Sequence, residues 1–295
     1  YLLIFILGLF ILENFSRKKA QYHTPTKSGF KKKMPINLTG RKSFLAFTFC
    51  ALVFFVSFLF PVLQMLYWTI SFPKHLEDLN LIKLFSNTMI LVFLSSILLI
   101  SLSFISNYGN RVTRSKLLSV LTTFSVSGYA IPGIILAVAF ITFISWLDNN
   151  VISFFGFQTI KSIFIGSVLG LILVYFIRFY SLASNGLKSG YLKINYSIDE
   201  SAYLLGYSKF KTFTNIHIPY LKNSMLLIGI LITIEIIKEL PITLIMRPFN
   251  FETFATTAYI FASQDLLEAA AAPSLFLIII ASFFILITSR FILKD

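Results

Sequence analysis

The sequence predicts an all-α, polytopic transmembrane helical bundle, and three observations predict it. Hydrophobic residues make up 57% of the 295 residues and the mean hydropathy is +0.83, while charged residues are 13% against the roughly 25% of soluble domains. Apolar stretches recur at about 44–72, 86–107, 117–145, 162–183, 223–244 and 274–292, each matching the about 20 helical residues that cross a bilayer core of about 30 Å. The ten-residue alternating segments of a membrane β-barrel do not occur.

The elements follow in order. The opening run YLLIFILGLFIL is too short to span, and its charges come after it, in ENFSRKK, the reverse of a secretory signal. It reads as the end of a truncated transmembrane helix, with a short hydrophobic anchor as the alternative. Residues 1–43 therefore comprise that helix end and a basic cytoplasmic linker carrying Pro25, Gly29, Pro35 and Gly40. Residues 44–295 read as a six-helix transmembrane domain with both ends inside.

Lys and Arg set the orientation. Nine fall in 13–43, three in 108–116 (Arg111, Arg114, Lys116), six in 178–222 (Arg178, Lys188, Lys193, Lys209, Lys211, Lys222) and two at the C-terminus (Arg290, Lys294). These are alternate breaks between spans, and the positive-inside rule makes them cytoplasmic. Lys74, Lys83, Lys161, Lys238 and Arg247 are left for the other side or the membrane. The net charge of +13 is then a topology signal with anionic lipid headgroups as its partner, and it calls for no nucleic acid.

Several chemistries have no support. No Gly-Lys dipeptide occurs, so the chain has no phosphate-binding loop of the GxxxxGK[ST] type. His23, His75 and His217 lie far apart with no HExxH or CxxC spacing, which leaves a zinc site unsupported. Cys50, alone in an apolar run, reads as a small hydrophobe.

The polar interruption IDESAYLLGYSKFKTFTNIHIP (198–219) lies on the Lys-rich side. Ser197 with Glu200 fits a capping box that starts a short helix, Gly206 suits a helix end with positive φ, and Ser208 suits the cap of a second short helix running towards Pro219. Tyr203, Leu204, Tyr207, Phe210 and Phe213 would present apolar contacts. Such an element suits docking into a partner's groove or lying on the headgroups, and periodicity leaves the two open.

The stretch resembles the cytoplasmic loop of permeases of binding-protein-dependent ABC importers, which reads EAA, three residues, Gly, nine residues, then I-x-L-P. Glu200, Ser201 and Ala202 stand in the EAA positions, Gly206 follows, and Ile216, Ile218 and Pro219 close it; Ser201 and Ile218 are the departures. The resemblance implies the type I ABC importer permease fold and a coupling helix that inserts into a separate ATPase. A second stretch, KELPITLIMRPFNFETFATTAY (238–259) with ASQDLLEAAAAPSL, and GYAIPG (128–133) are similar to iron(III) ABC transporter permeases. Permeases for thiamine, phosphonates or polyamines share much of this pattern.

The resemblance thereby implies a multi-pass transporter subunit of a bacterial inner membrane and not an enzyme, and the Lys and Arg distribution places its C-terminus in the cytoplasm. It implies no cofactor in this chain, ATP being used by a partner ATPase dimer. A periplasmic binding protein and a second permease half, fused upstream or a second copy, would complete the importer. No metal-ligating residues are assigned from the sequence.

Two sets of residues read as candidates for a translocation pathway. Glu235, Lys238 and Glu239 are spaced i, i+3 and i+4 near the end of an apolar helix, which predicts one shared face; they line a cavity or form an ion cluster that holds the bundle. An ion-coupled secondary transporter, with Glu235 and Glu239 titrating, is the alternative from another class. Pro132, with Gly128 and Gly133, predicts a broken or kinked helix inside 117–145, of the kind found where freed backbone groups are buried in protein or line water.

Overall fold

The computed structural model describes residues 38–77, 79–113, 115–155 and 164–292. The opening apolar run, most of the basic linker and Lys161 lie outside these residues. The described residues are mainly helical, without strands. Two compact units divide the chain, Tyr1–Gln64 and Met65–Asp295. The described part of the first is the start of a helix, α1 (Arg41–Ser71), which carries a π turn at Phe55–Leu59 and buries none of its side chains.

The second unit contains α2 (Pro73–Glu77), α3 (Leu81–Thr113), α4 (Lys116–Val126), α5 (Gly133–Phe155), α6 (Val168–Tyr191) and α7 (Tyr196–Leu204). These are followed by α8 (Lys209–Ile237), α9 (Pro241–Met246), α10 (Phe254–Ser263) and α11 (Leu267–Ile292). Six helices, α1, α3, α5, α6, α8 and α11, are long and apolar enough to cross a membrane.

The core is α6 packed between α3 and α8, with α11 against α8 and α10. Tyr175, Phe179, Leu171 and Leu187 of α6 meet Leu91 and Leu99 of α3 and Leu221 and Ile232 of α8, all fully buried. Because lipid tails are as apolar as leucine, such helices associate by close packing rather than by escape from water. The four alanines Ala269–Ala272 at the start of α11 are all buried, small side chains that let backbones approach.

The break expected inside 117–145 is present, and the structure differs from the predicted elements in two places. The stretch 117–145 is two helices, α4 and α5, separated by a 3-10 turn at Ser127–Ala130 and an extended Ile131 at φ −80°, ψ 128°. Pro132 favours that extended residue before it, and Gly128 lets the turn lie on α6, since a Cβ there would stand 2.3 Å from the Ile177 carbonyl. The second short helix of the polar loop is not separate: it continues into the membrane as α8. A π turn at Phe213–His217 precedes Pro219 and absorbs the hydrogen bond that proline cannot donate. Finally, 223–244 ends at Ile237, and two short helices, α9 and α10, follow before the last span.

Candidate functional site

Three groups of side chains stand at three levels of the bundle. The ends of α3 and α6 and the beginning of α8 meet on one side, where the polar loop lies. Asn195 caps α7, its side chain accepting the Ser197 N–H at 3.3 Å, so the cap falls two residues before the predicted Ser197 and no Glu200 capping box forms. Asparagine's short amide reaches the N–H two residues on, leaving Glu200 exposed.

The other end of α7 follows expectation. Gly206 adopts φ +81°, its N–H donates to the Tyr203 carbonyl at 3.0 Å, and the Tyr207 N–H donates to the Ala202 carbonyl at 3.0 Å. These two bonds are a Schellman motif, which a residue of positive φ permits. Ser208 then caps α8, accepting the Lys211 N–H at 3.3 Å.

Leu204, Leu205 and Phe210 are 89%, 78% and 73% exposed, so this helix–turn–helix carries an apolar outer face. Tyr203 and Tyr207 flank it and Glu200 and Ser201 are exposed, while Ala202 is buried. Phe213 does not belong to that face: its ring packs inward on Phe104 and Tyr108, each at 4.8 Å. Ile216 is half-buried, and Ile218 and Pro219 are exposed.

What fixes the loop to the membrane helices is a cluster outside the motif. Arg111, at the end of α3, donates from Nε to Asp199 at 2.6 Å and from its two other nitrogens to the carbonyls of Ile194 and Asn195, each at 3.0 Å. Its guanidinium also lies 4.3 Å from the centre of the Tyr196 ring. The second Asp199 oxygen is 2.9 Å from His217 Nε2. His217 is fully buried between Tyr108 and Tyr191, and the Tyr108 hydroxyl donates to the Lys209 carbonyl at 2.6 Å. Asp199 and Tyr108 had no part in the sequence reading, in which Arg111 counted only as a topology charge and His217 only as an unsupported zinc ligand; a lone His and an Arg closing an apolar span were the available signals.

Midway through the bundle lies a buried charge pair. Arg178 Nε stands 3.4 Å from Glu239, which is 7% exposed. The Glu239 carboxylate accepts the Ile242 N–H at 3.3 Å, and the Glu239 carbonyl accepts the Thr243 hydroxyl at 2.7 Å. Thr243 is in turn hydrogen-bonded to Tyr175. Arg178 also donates to the Ile131 carbonyl at 3.3 Å, so it ties together the two interruptions, at Ile131–Pro132 and at Lys238–Leu240. Gly133 leaves room for it: a Cβ there would stand 2.8 Å from an Arg178 nitrogen and 3.1 Å from Glu239.

Two sequence expectations are corrected here. Glu235, Lys238 and Glu239 do not share a face, because the helix ends at Ile237; Lys238 pairs with Glu235 at 2.7 Å in a largely exposed bridge, while Glu239 turns inward to Arg178. Arg178 is also not a topology charge of the cytoplasmic break, since it lies within α6.

At the far end of α3 the loop 247–253 is pinned in place. Arg247 pairs with Glu252, Lys83 donates to Asn250 at 3.0 Å, and the Asn87 amide donates to the Glu252 carbonyl at 2.9 Å. Asn87 and Arg111 are 24 positions apart on one helix, about 36 Å at 1.5 Å per residue. The two loops therefore occupy opposite ends of the bundle. Among the described residues, no three His, Cys, Asp or Glu side chains gather to hold a metal ion.

The bundle shares its fold with chains of bacterial ABC transporters of known structure. The chain is similar, at 18% identity and a TM-score of 0.66, to a chain of a bacterial ABC transporter involved in the import of the acidic polysaccharide alginate, covering 84% of this chain and 94% of that one. A second structure, of the bacterial alginate ABC transporter in complex with alginate pentasaccharide-bound periplasmic protein, aligns at 16% identity and a TM-score of 0.65, covering 84% and 93%. In sequence the chain is 21% identical over 283 residues to the Fe(3+)-transport system permease protein FbpB 2 of Haemophilus influenzae, covering 95% of this chain and 53% of that protein. The chain thus spans about half the length of the curated relative it matches. No protein-family model matches the sequence.

Proposed function

We propose that this chain is a membrane permease component of a bacterial ABC importer, with iron(III) as the substrate. The observation that carries the importer reading is the 196–219 element: its spacing resembles the EAA loop, and its apolar outer face stands clear of the bundle on the Lys-rich side. A separate ATPase docks on that face, with Glu200, Ser201, Ala202, Gly206, Ile216, Ile218 and Pro219 as the coupling segment. A periplasmic binding protein presents substrate at the opposite end, where loop 247–253 lies, and a second permease unit, upstream or a second copy, completes the path. Iron rests on the similarity to the Fe(3+)-transport permease. Another small solute such as thiamine, a phosphonate or a polyamine is the second choice.

In this mechanism the chain supplies a path and a lever, not a reacting group. ATP-driven closure of the ATPases moves α7 and the start of α8, and the motion reaches the Arg178–Glu239 level. A carrier driven by an ion gradient would need Glu239 free to exchange partners, whereas its carboxylate is engaged by Arg178 at 3.4 Å and by the Ile242 N–H at 3.3 Å.

Gly206→Val tests the docking assignment. A Cβ at Gly206 meets nothing within 4 Å, so the substitution acts through backbone strain alone, at about 1–3 kcal/mol. In vesicles with the ATPase and binding protein, substrate-stimulated ATP hydrolysis is expected to fall about tenfold with the chain still inserted. Wild-type stimulation would sink the assignment.

Sidedness is tested separately. With the exposed Cys50 replaced by Ser, single cysteines at Lys209 and Asn149, both exposed, are expected to react with an impermeant thiol reagent from opposite sides. Lys209 should react only after the membrane is opened. Labelling at Lys209 in intact cells reverses the topology.

A further inference from the structure

Beside the coupling loop, on the same end of the bundle, lies a cavity of about 1020 Å³ between the end of α3, the length of α4, the end of α6 and the link leading into α7. Among the described residues that line it none is acidic, while four are basic: Arg111, Lys116, Lys188 and Lys193. Arg111 is already matched by Asp199. The three lysines are exposed, and among the described residues none of them is in an ion pair.

Two further features favour an anion with several oxygen atoms. The first turn of α4 lines the cavity through Ser115, Lys116 and Ser119, and it holds no acidic residue, so the positive end of that helix dipole is unopposed. Asn185 adds an amide donor, since its NH2 has a second hydrogen beyond the one given to Ser181. The cavity also lies at the ends of α3 and α6, two of the helices apolar enough to cross a membrane, and a lysine near an anionic leaflet contributes attraction.

We propose that this cavity binds a phosphate-bearing anion, either the headgroup of an anionic phospholipid or free phosphate, with Lys116, Lys188 and Lys193 as its principal partners. An occupant there lies against the 192–196 link and the start of α7, so it braces the loop from behind. The inference rests on the lining of the cavity and stands apart from the identity of the transported substrate.

Two arms test it on the purified full chain: retention of radiolabelled phosphatidylglycerol in detergent, and equilibrium dialysis against radiolabelled inorganic phosphate. Saturable binding by the wild type is expected in at least one arm, and that arm identifies the source. The triple variant K116Q/K188Q/K193Q is expected to lower that binding about tenfold or more. A control, K209Q/K211Q/K222Q, removes the same charge from exposed positions on the same side and is expected to keep it. Absence of saturable binding in both arms, no effect of the first triple variant, or equal loss in both variants would each overturn the proposal.

Discussion

Arg111→Ala is expected to free the 196–208 loop from the membrane helices and to abolish ATP-coupled transport while the chain stays inserted. The guanidinium serves Asp199 and the carbonyls of Ile194 and Asn195 together, so its removal leaves one buried carboxylate facing only His217 and two carbonyls without their donor. Breaking a buried pair by deleting one partner costs about 3–5 kcal/mol, more than a loop of this size can offset. Amide hydrogen exchange across 195–208 should accelerate by about a hundredfold or more, and substrate-stimulated ATP hydrolysis should fall with it. Arg111→Lys, which keeps the charge but loses the fork, should recover part of both. Unchanged exchange in Arg111→Ala would show that the loop is held by its apolar contacts instead.

The second large effect concerns Arg178 and Glu239. Arg178→Met strands a carboxylate that is 7% exposed and removes the bond to Ile131, at an expected cost of about 3–5 kcal/mol. The double variant R178M/E239L replaces both charges with apolar groups and should regain most of the lost thermal stability, since paired buried charges are often replaceable without loss. Transport is expected to stay absent in the double variant, because the pair stands where both helix interruptions meet. Recovery of uptake together with stability would assign the pair to structure alone.

The architecture was legible because a bilayer imposes a length and a hydropathy that composition alone reveals, and the six crossing helices fall close to where the apolar runs lie. Gly206 and Ser208 were legible for a local reason: a Schellman turn and a serine cap are decided by neighbouring backbone groups. Asp199, His217 and Arg111 were not, because their partners lie 18 and 88 positions apart along the chain and spacing carries no sign of such contacts. Glu239 misled for a related reason. Its i, i+4 relation to Glu235 presumes an unbroken helix, but the helix stops at Ile237, and a residue past that stop is aimed by its own hydrogen bonds to Ile242 and Thr243 rather than by helical phase.

The fusion of the second loop helix with a membrane span sets a mechanical scale. As a single rod of 29 residues, α8 is about 44 Å long. Were it to pivot near Ile237, a tilt of only about 5° would carry Lys209 sideways by about 4 Å, roughly the spacing of two packed atoms. Had Pro219 severed the rod, the same displacement would have been spent in bending at the membrane surface. The π turn at Phe213–His217 thus determines how stiffly a push at the loop is delivered to the segment that ends beside Glu239.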